Sequence, residues 1–503
     1  MPRLAINLNK LALTTNILIP ILTILFLILG ITLSPYFHIL TIPLAILLVY
    51  NIYLLNFQKQ YTILSNFGLI GQLRYILESI GPELRQYFFL NDTEEKPFNR
   101  TEREEIYNKS KNEDSTAAFG SQSNFDEHEI KIKHSMYPSE NKTKKYEVTF
   151  GEERIIKNKY TITKPIMISA MSFGALGEHA VRSLARGAKL ANIPINTGEG
   201  GYPKYHLMEN PDIIFQMGTA KFGIRNPDSS LNDEKLKALA EKPNIKMIEI
   251  KLSQGAKPGK GGLLPKEKIT KEISELRNVS MNKDVISPAH HIECTNPSTT
   301  IQFIKRVQEI SQLPVGIKLC LGSEEEFKQL VKEMKQQNTY PDYIALDGSQ
   351  GGTGAAPKSF MDDIGIPLYP ALQTIQRILT EEKVRDKLKI IASGKLINPG
   401  KQITALALGA DAIYSARGFM LALGCIQALR CNKNDCPVGI TTQDKHLQKG
   451  LDINEKSQRI SNYAKNLGKE FTEILKSTGS SNYKELRNNK LYIPRTDSLA
   501  VCE

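Results

Sequence analysis

KIIASGKLINPGKQITALALGADAIYSARG, residues 389–418, is the stretch on which the fold turns. Two runs with strand character, 389–392 and 412–415, flank a helical pattern. Each gives way to small residues with a cation, Ser393-Gly394-Lys395 after the first and Ala416-Arg417-Gly418 after the second. The same alternation reaches back to Tyr160, with further strand candidates at 166–170, 193–196, 216–222, 247–251, 315–319 and 343–347. Amphipathic helical patterns such as 178–191 and 300–312 lie between them. A ninth short run, 285–287, is expected outside the main sheet. Strand–helix repeats with parallel strands fit either an eight-stranded barrel or an open doubly wound sheet. No GxGxxG opens a helix after the first strand, and polar residues gather at the C-terminal ends of several strands instead of one crevice. The predicted class is therefore α/β, a (β/α)8 TIM barrel.

The loops after the late strands carry the first chemistry. Backbone N–H groups freed by Gly394 and Gly418, with Lys395 and Arg417 beside them, suit a phosphate cradle, which barrels commonly build after their seventh and eighth strands. Asp347-Gly-Ser-Gln-Gly351-Gly352-Thr353-Gly354 precedes them; alone it reads equally as a turn, but with the two later loops it points to a phosphate-bearing cofactor, and FMN suits a redox protein. A second group, Lys251, Gln254 and Lys257, recurs every three residues where a strand gives way to a loop, with Arg277 further on. Such cations and an amide suit a substrate with carboxylates, or they form a solvated lysine loop. Glu199, in Asn-Thr-Gly-Glu-Gly-Gly, is a general acid/base or a partner for those lysines. His290-His291 reads as surface or turn histidines, since nothing nearby completes a metal ligand set.

Cys425, Cys431 and Cys436 fall within twelve residues and are followed by Pro437. Thiolates hold iron–sulfur clusters, and cysteines this close can converge on one. Three ligands suggest a cluster lacking one iron, 3Fe-4S, or a fourth ligand from elsewhere. Buried structural cysteines and a disulfide are the alternatives. Six cysteines in 503 residues do not make a secreted disulfide scaffold, so a reducing cytoplasm is expected for the large domain.

Two uncharged apolar runs, about 11–33 and 37–55, are each long enough to cross a bilayer as a helix. Pro20 and Pro43 within them are tolerated by membrane helices, and Tyr50 and Tyr53 suit an aromatic belt. Arg3 and Lys10 precede the first run, and Lys59 and Arg74 follow the second. Both termini are thus expected in the cytoplasm, with a two-helix transmembrane hairpin in the inner membrane, not a cleaved signal peptide. A buried soluble hairpin is the alternative. Residues 70–89 predict two short helices broken at Gly81-Pro82, and 91–124 an irregular stretch. The expected domains are a hairpin (1–60), a helical and irregular pre-barrel segment (61–150), the barrel with its cysteine loop (151–480) and a tail (481–503). The charge of +12 is spread along the chain without an aromatic-interleaved basic stripe. It speaks against nucleic acid as a partner and lends only weak attraction for acidic small molecules or anionic lipid.

Taken together, Ile168-Ser-Ala-Met171-Ser172-Phe-Gly-Ala-Leu176, NTGEGG, IKLSQGAKPGKGGLLP, DGSQGGTGAAP and the cysteine run ending in CPVGITTQD resemble the synthase domain of glutamate synthase, over roughly 151–470. The resemblance implies an FMN-bearing (β/α)8 barrel with a three-iron cluster. It implies condensation of 2-oxoglutarate with ammonia and reduction of the imine to L-glutamate. Cys425, Cys431 and Cys436 would hold the cluster, while Glu199, Lys251, Gln254, Lys257 and Arg277 would face substrate or flavin. Lys318 would lie near the flavin ring, where a cation stabilises the reduced anionic form. Met171 and Ser172 would lie at the flavin and substrate face.

The departures matter as much. The full enzyme of that family begins with a glutaminase domain whose nucleophile is an N-terminal cysteine, and it carries a C-terminal β-helix. This chain starts with Met1-Pro2 and a hairpin and ends soon after the cysteines, like the short stand-alone glutamate synthase-like proteins. Glutamine hydrolysis is therefore not expected, and ammonia or another amine would arrive free or from a partner. No nicotinamide-binding fold is visible in the sequence, which points to ferredoxin or a reductase subunit as electron donor. Two other readings stay open: the same chemistry on another 2-oxo acid or amine, and a membrane-tethered electron-transfer module with a degenerate substrate site.

Overall fold

The computed structural model describes residues 8–122, 130–139 and 144–494, with side chains from Leu11 onward. Arg3, the Lys10 side chain and the end of the expected tail lie outside the described residues. The chain divides into two compact units, residues up to 101 and from 102 on.

The first unit opens with two apolar helices, α1 (Leu8–Thr32) and α2 (His38–Asn56), joined by a single tight turn at Pro35–Phe37. Both are long and apolar enough to cross a membrane. One polar clamp joins them: Asn51 Nδ2 donates to Asn16 Oδ1 at 2.9 Å, and Asn51 Oδ1 accepts the Leu69 N–H at 2.8 Å. A short helix, α3 (Thr62–Phe67), and a further turn lead into α4 (Gln72–Leu84). The predicted break at Gly81-Pro82 does not occur. Proline removes one N–H from the ladder, and α4 runs through it before widening into a π turn, Arg85–Phe89, closed by Leu90 N–H to Arg85 O at 2.9 Å.

In the second unit eight parallel strands close a barrel in sequence order. They are β1 (Ile166–Ile168), β2 (Ile195–Asn196), β3 (Ile213–Met217), β4 (Ile245–Lys251), β5 (Val315–Leu319), β6 (Tyr343–Asp347), β7 (Lys389–Ser393) and β8 (Ala412–Ser415). The third strand lies earlier than the expected 216–222. Its five residues Ile-Ile-Phe-Gln-Met are all buried, and beyond Gly218 left-handed residues at Lys221 and Gly223 turn the chain away. Val285–Ile286 pairs antiparallel with Leu263–Leu264 outside the barrel, as expected. The stretch 91–124 is not wholly irregular: α5 (Arg100–Lys111) forms there, burying Arg103, Ile106, Lys109 and Ser110 on one face.

Burial on both faces makes the strands near-continuous apolar runs. The interior also holds a polar group centred on one strand residue. Glu249 of β4 is fully buried and accepts hydrogen bonds from Asn196 Nδ2 (2.9 Å), Gln216 Nε2 (2.7 Å) and Tyr414 O–H (3.0 Å). A carboxylate can sit in such a core only because donors from three other strands replace its water.

Candidate functional site

The site is assembled from loops at the C-terminal ends of the strands. Lys251, the last residue of β4, stands in register with Lys318 of β5, so the two cations are cross-strand neighbours. The chain leaving β4 folds back across β5, with Leu252 N–H and Ser253 N–H donating to Lys318 O at 2.8 and 3.2 Å. It then meets the glycine-rich loop after β6, where Gly255 N–H donates to Asp347 Oδ2 at 2.9 Å. A Cβ at Gly255 would lie 1.8 Å from Gly348 O, so only glycine lets these loops touch.

The predicted substrate residues converge. Lys251 Nζ donates to Glu199 Oε1 at 2.8 Å and to Gln254 Oε1. Lys257 Nζ donates to Ala355 O at 2.9 Å, and Arg277 Nη2 to Phe173 O at 2.7 Å. The Arg277 guanidinium also lies over the Phe222 ring, and its buried Nε meets no hydrogen-bond partner among the described residues. Burial works to raise the Glu199 carboxyl, but Lys251 first, then Lys257 and Arg277, outweigh it and hold it below the usual range. Burial pushes Lys257 down to about 8 against the pull of Glu199, with Lys251 and Lys260 adding repulsion. Burial likewise lowers Arg277 to about 10, Glu199 opposing. The solvated-loop alternative fails for Lys257 and Arg277, which are only 4% and 5% exposed.

The predicted cofactor residues form an adjoining group. Lys318 is buried with Nζ 3.6 Å from Asp347 Oδ2, and Asp347 Oδ1 accepts from Ser393 Oγ at 2.7 Å. Gly394 has φ of +146° and Lys395 of +52°, two successive positive-φ residues in the turn after β7, the kind of backbone that builds anion-binding concavities. Arg417 reaches from the end of β8 to Gln350 O, and a Cβ at Gly352 would lie 2.6 Å from its Nε. Burial lowers Arg417 to about 10, with Asp347 and Glu102 opposing. Thr353 Oγ1 donates to Ala355 O at 3.4 Å, tying this loop to the carbonyl that also holds Lys257. Met171 and Ser172 follow β1, their backbone against Gly198, one residue from Glu199. Positive-φ backbone at Gly394 and Lys395 and the half-buried Arg417 guanidinium, both against the Gln350 loop, are a donor set that fits a flavin phosphate.

The three cysteines are free thiols in the loop after Leu423. Left-handed residues at Gly424, Gln427, Leu429, Asn434 and Gly439 coil this loop on itself. Cys425 is pushed up to about 12, by burial first and then by the fields of Cys431 and Cys436; the Gln427 N–H, 3.4 Å from its Sγ, works the other way. Among the described residues, no group of three His, Cys, Asp or Glu is placed to hold a single metal ion. A cluster is wider than an ion, and each thiolate binds a different iron, so this does not conflict with a cluster. Three free thiols on one coiled loop, Cys436 buried and Cys425 and Cys431 half-buried, with an N–H near one of them, fit such a group.

Four contributors carried no signal in the sequence. His291 is fully buried, not a surface histidine: its Nε2 lies 3.0 Å from Lys251 O, and burial lowers it to about 4. His290 is exposed, a turn residue as expected. Lys268 is buried and donates to Ala175 O at 2.8 Å, with Cys431 and Cys436 within its field. On α5, Tyr107 O–H donates to Cys425 O at 2.7 Å and Arg103 Nη1 to Ile426 O at 3.4 Å. Nothing in local patterning marks contacts across more than 300 residues of chain.

Known proteins match this chain over most of its length. The family model for the conserved region in glutamate synthase matches residues 98–481. A glutamate synthase large subunit-like protein of Bacillus subtilis (strain 168) is 38% identical over 461 residues, 84% of this chain and 88% of that protein. The archaeal-type glutamate synthase (NADPH) of Thermotoga maritima is 34% identical over 357 residues, 69% of this chain and 67% of that protein. The archaeal glutamate synthase (NADPH) of Methanocaldococcus jannaschii is 35% identical over 362 residues, 69% and 68% of the two chains.

Proposed function

The chain belongs to the glutamate synthase family and is a glutamate synthase-like oxidoreductase, and on that premise we propose that it reductively aminates 2-oxoglutarate to L-glutamate. The ammonia would be free or partner-supplied, and the electrons would come from ferredoxin or a reductase subunit. The observation that carries this reading is a charge imbalance. Lys251, Lys257 and Arg277 bring three cations to one largely buried mouth, and all three bear on the single carboxyl group of Glu199. The surplus of two positive charges suits a dicarboxylate.

FMN, when bound, would supply the hydride, and an iron–sulfur cluster held by the cysteine loop would supply single electrons to it. Gly394, Lys395, Arg417 and Gly418 would hold the flavin phosphate. Gly351, Gly352 and Thr353 would border the cofactor, with Lys318, Met171 and Ser172 against the ring. Cys425, Cys431 and Cys436 would hold a 3Fe-4S cluster. Arg277 and Lys257 grip the two substrate carboxylates, the Arg277 Nε being one donor ready for an oxygen. Lys251 Nζ is held between Glu199 and Gln254, which fix its direction, and the Lys251–Glu199 pair is positioned to pass a proton to nitrogen as the carbon is reduced. His291 braces the Lys251 carbonyl from outside and helps exclude water. The apolar helices α1 and α2 support an anchor in the inner membrane with the barrel in the cytoplasm.

Anaerobically reduced protein mixed with 2-oxoglutarate and ammonium should show rapid flavin reoxidation and form one glutamate per flavin. If the flavin stays reduced with ammonium yet reoxidises with another amine or 2-oxo acid, the glutamate assignment is wrong and the wider chemistry stands.

A further inference from the structure

We propose that α4 is a second membrane contact, lying along the lipid–water boundary with one face in the outer acyl chains. The proposal rests on the reading of α1 and α2 as membrane-spanning. Leu73, Ile76, Leu77, Ile80 and Leu84 follow i, i+3, i+4, i+7, i+11 spacing and share one helix face. The first four are 50%, 52%, 60% and 44% exposed, and no residue of α4 is buried. Arg74 and Glu78 lie off that stripe and Glu83 borders it, two turns on from Ile76; with Arg85, the first residue of the π turn, they sum to zero charge. Attraction to anionic headgroups is thus not the driving force; burial of the stripe is. The π turn that follows continues the surface with Tyr87, Phe88 and Phe89, 58%, 76% and 75% exposed.

Continuity with the hairpin identifies the occupant as lipid. Gln72, the first residue of α4, donates from Nε2 to the Tyr50 hydroxyl oxygen at 2.9 Å, and Tyr50 stands in the last two turns of the apolar span 35–56. Tyr75 packs edge-on against Tyr61 at 5.2 Å. Backbone contacts tighten the same corner, since Leu69 N–H is held by the Asn51 clamp. The start of α4 is thereby fixed at the depth where hydrocarbon gives way to headgroups, the level at which tyrosines collect. A helix that begins there and presents an apolar stripe has acyl chains beside it.

The chain contains no tryptophan, so an introduced one reports alone. The full-length chain would be made in four single variants, Leu77→Trp and Ile80→Trp on the stripe, Ser79→Trp off it, and Ile24→Trp within α1. Each would be reconstituted in phosphatidylcholine and phosphatidylglycerol vesicles brominated either near the headgroup end or near the middle of the acyl chain. Indole emission from the two stripe variants should be lost chiefly to shallow bromines. Ser79→Trp should respond to neither set, and Ile24→Trp chiefly to the deep one. Stripe variants quenched no more than Ser79→Trp overturn the proposal while the hairpin reading stands. If the indole of Leu77→Trp is shielded from both bromines and aqueous iodide, a protein partner or a second copy covers the stripe, which also overturns it. Emission from Ile24→Trp untouched by deep bromines removes the hairpin reading and this proposal together.

Discussion

At the scale of single residues the mouth of the barrel is a problem in charge compensation. Arg277 is buried, its Nε has no partner among the described residues, and in the proposed reading its unused donors meet a substrate carboxylate. A hydrogen bond to a charged group contributes about 1.5–3 kcal/mol, so Arg277→Ala should lower kcat/KM for 2-oxoglutarate by about 10- to 100-fold. The loss should lie mainly in KM, with flavin content unchanged; steady-state kinetics on the flavin-loaded protein check this. Lys257, lowered to about 8, gives a pH signature. Its charge is present below that value and lost above it, so KM for 2-oxoglutarate should rise as pH passes through about 8. Glu199 pulls the Lys257 value upward. Glu199→Gln should therefore move the rise to lower pH, and a KM profile that stays in place would show that Lys257 does not grip the substrate.

At the scale of elements, function depends on loops that meet because their residues are small. Gly255 lies under Gly348 O so closely that Gly255→Ala must push the β4 loop off the β6 loop. The barrel strands should survive with unchanged far-UV circular dichroism, while both flavin affinity and KM worsen together. A change in one without the other would mean the two loops are not coupled. The cysteine loop gives an independent readout. Cys436→Ser should remove the broad iron–sulfur absorbance and the protein-bound iron while the flavin bands remain. Full iron content in that variant would end the assignment of Cys436 as a ligand. Legibility at this scale was uneven: 315–319, 343–347 and 412–415 are strands to the residue, whereas β3 begins three residues before its expected start. Phe222 prolonged an apolar look beyond Gly218, and periodicity cannot see that left-handed residues have already turned the chain.

At the scale of the whole molecule, stability carries the imprint of buried neutral groups. His206 and His291 are both lowered to about 4 by burial. Unfolded histidines bind protons near 6.5, so between that pH and about 4 the unfolded state holds more protons than the folded one. Stability should therefore fall as pH drops through this window. His206→Phe should flatten the decline, measured as Tm of the flavin-loaded protein at pH 7 and pH 5. An unchanged slope would place the acid sensitivity in His291 or the carboxylates instead.

The amino-acid sequence alone determined the alternating strand–helix architecture and the two apolar helices, because each is a local pattern repeated with the period of its own element, and it grouped Lys251, Gln254 and Lys257 because they are close along one strand end and loop. Tertiary structure decided the rest. It set Arg277 against Phe173, Tyr107 against Cys425 and His291 behind Lys251, and it kept α4 unbroken across Gly81-Pro82. Contacts between residues distant in the chain follow from barrel closure and from which groups burial brings together, and no local periodicity encodes either.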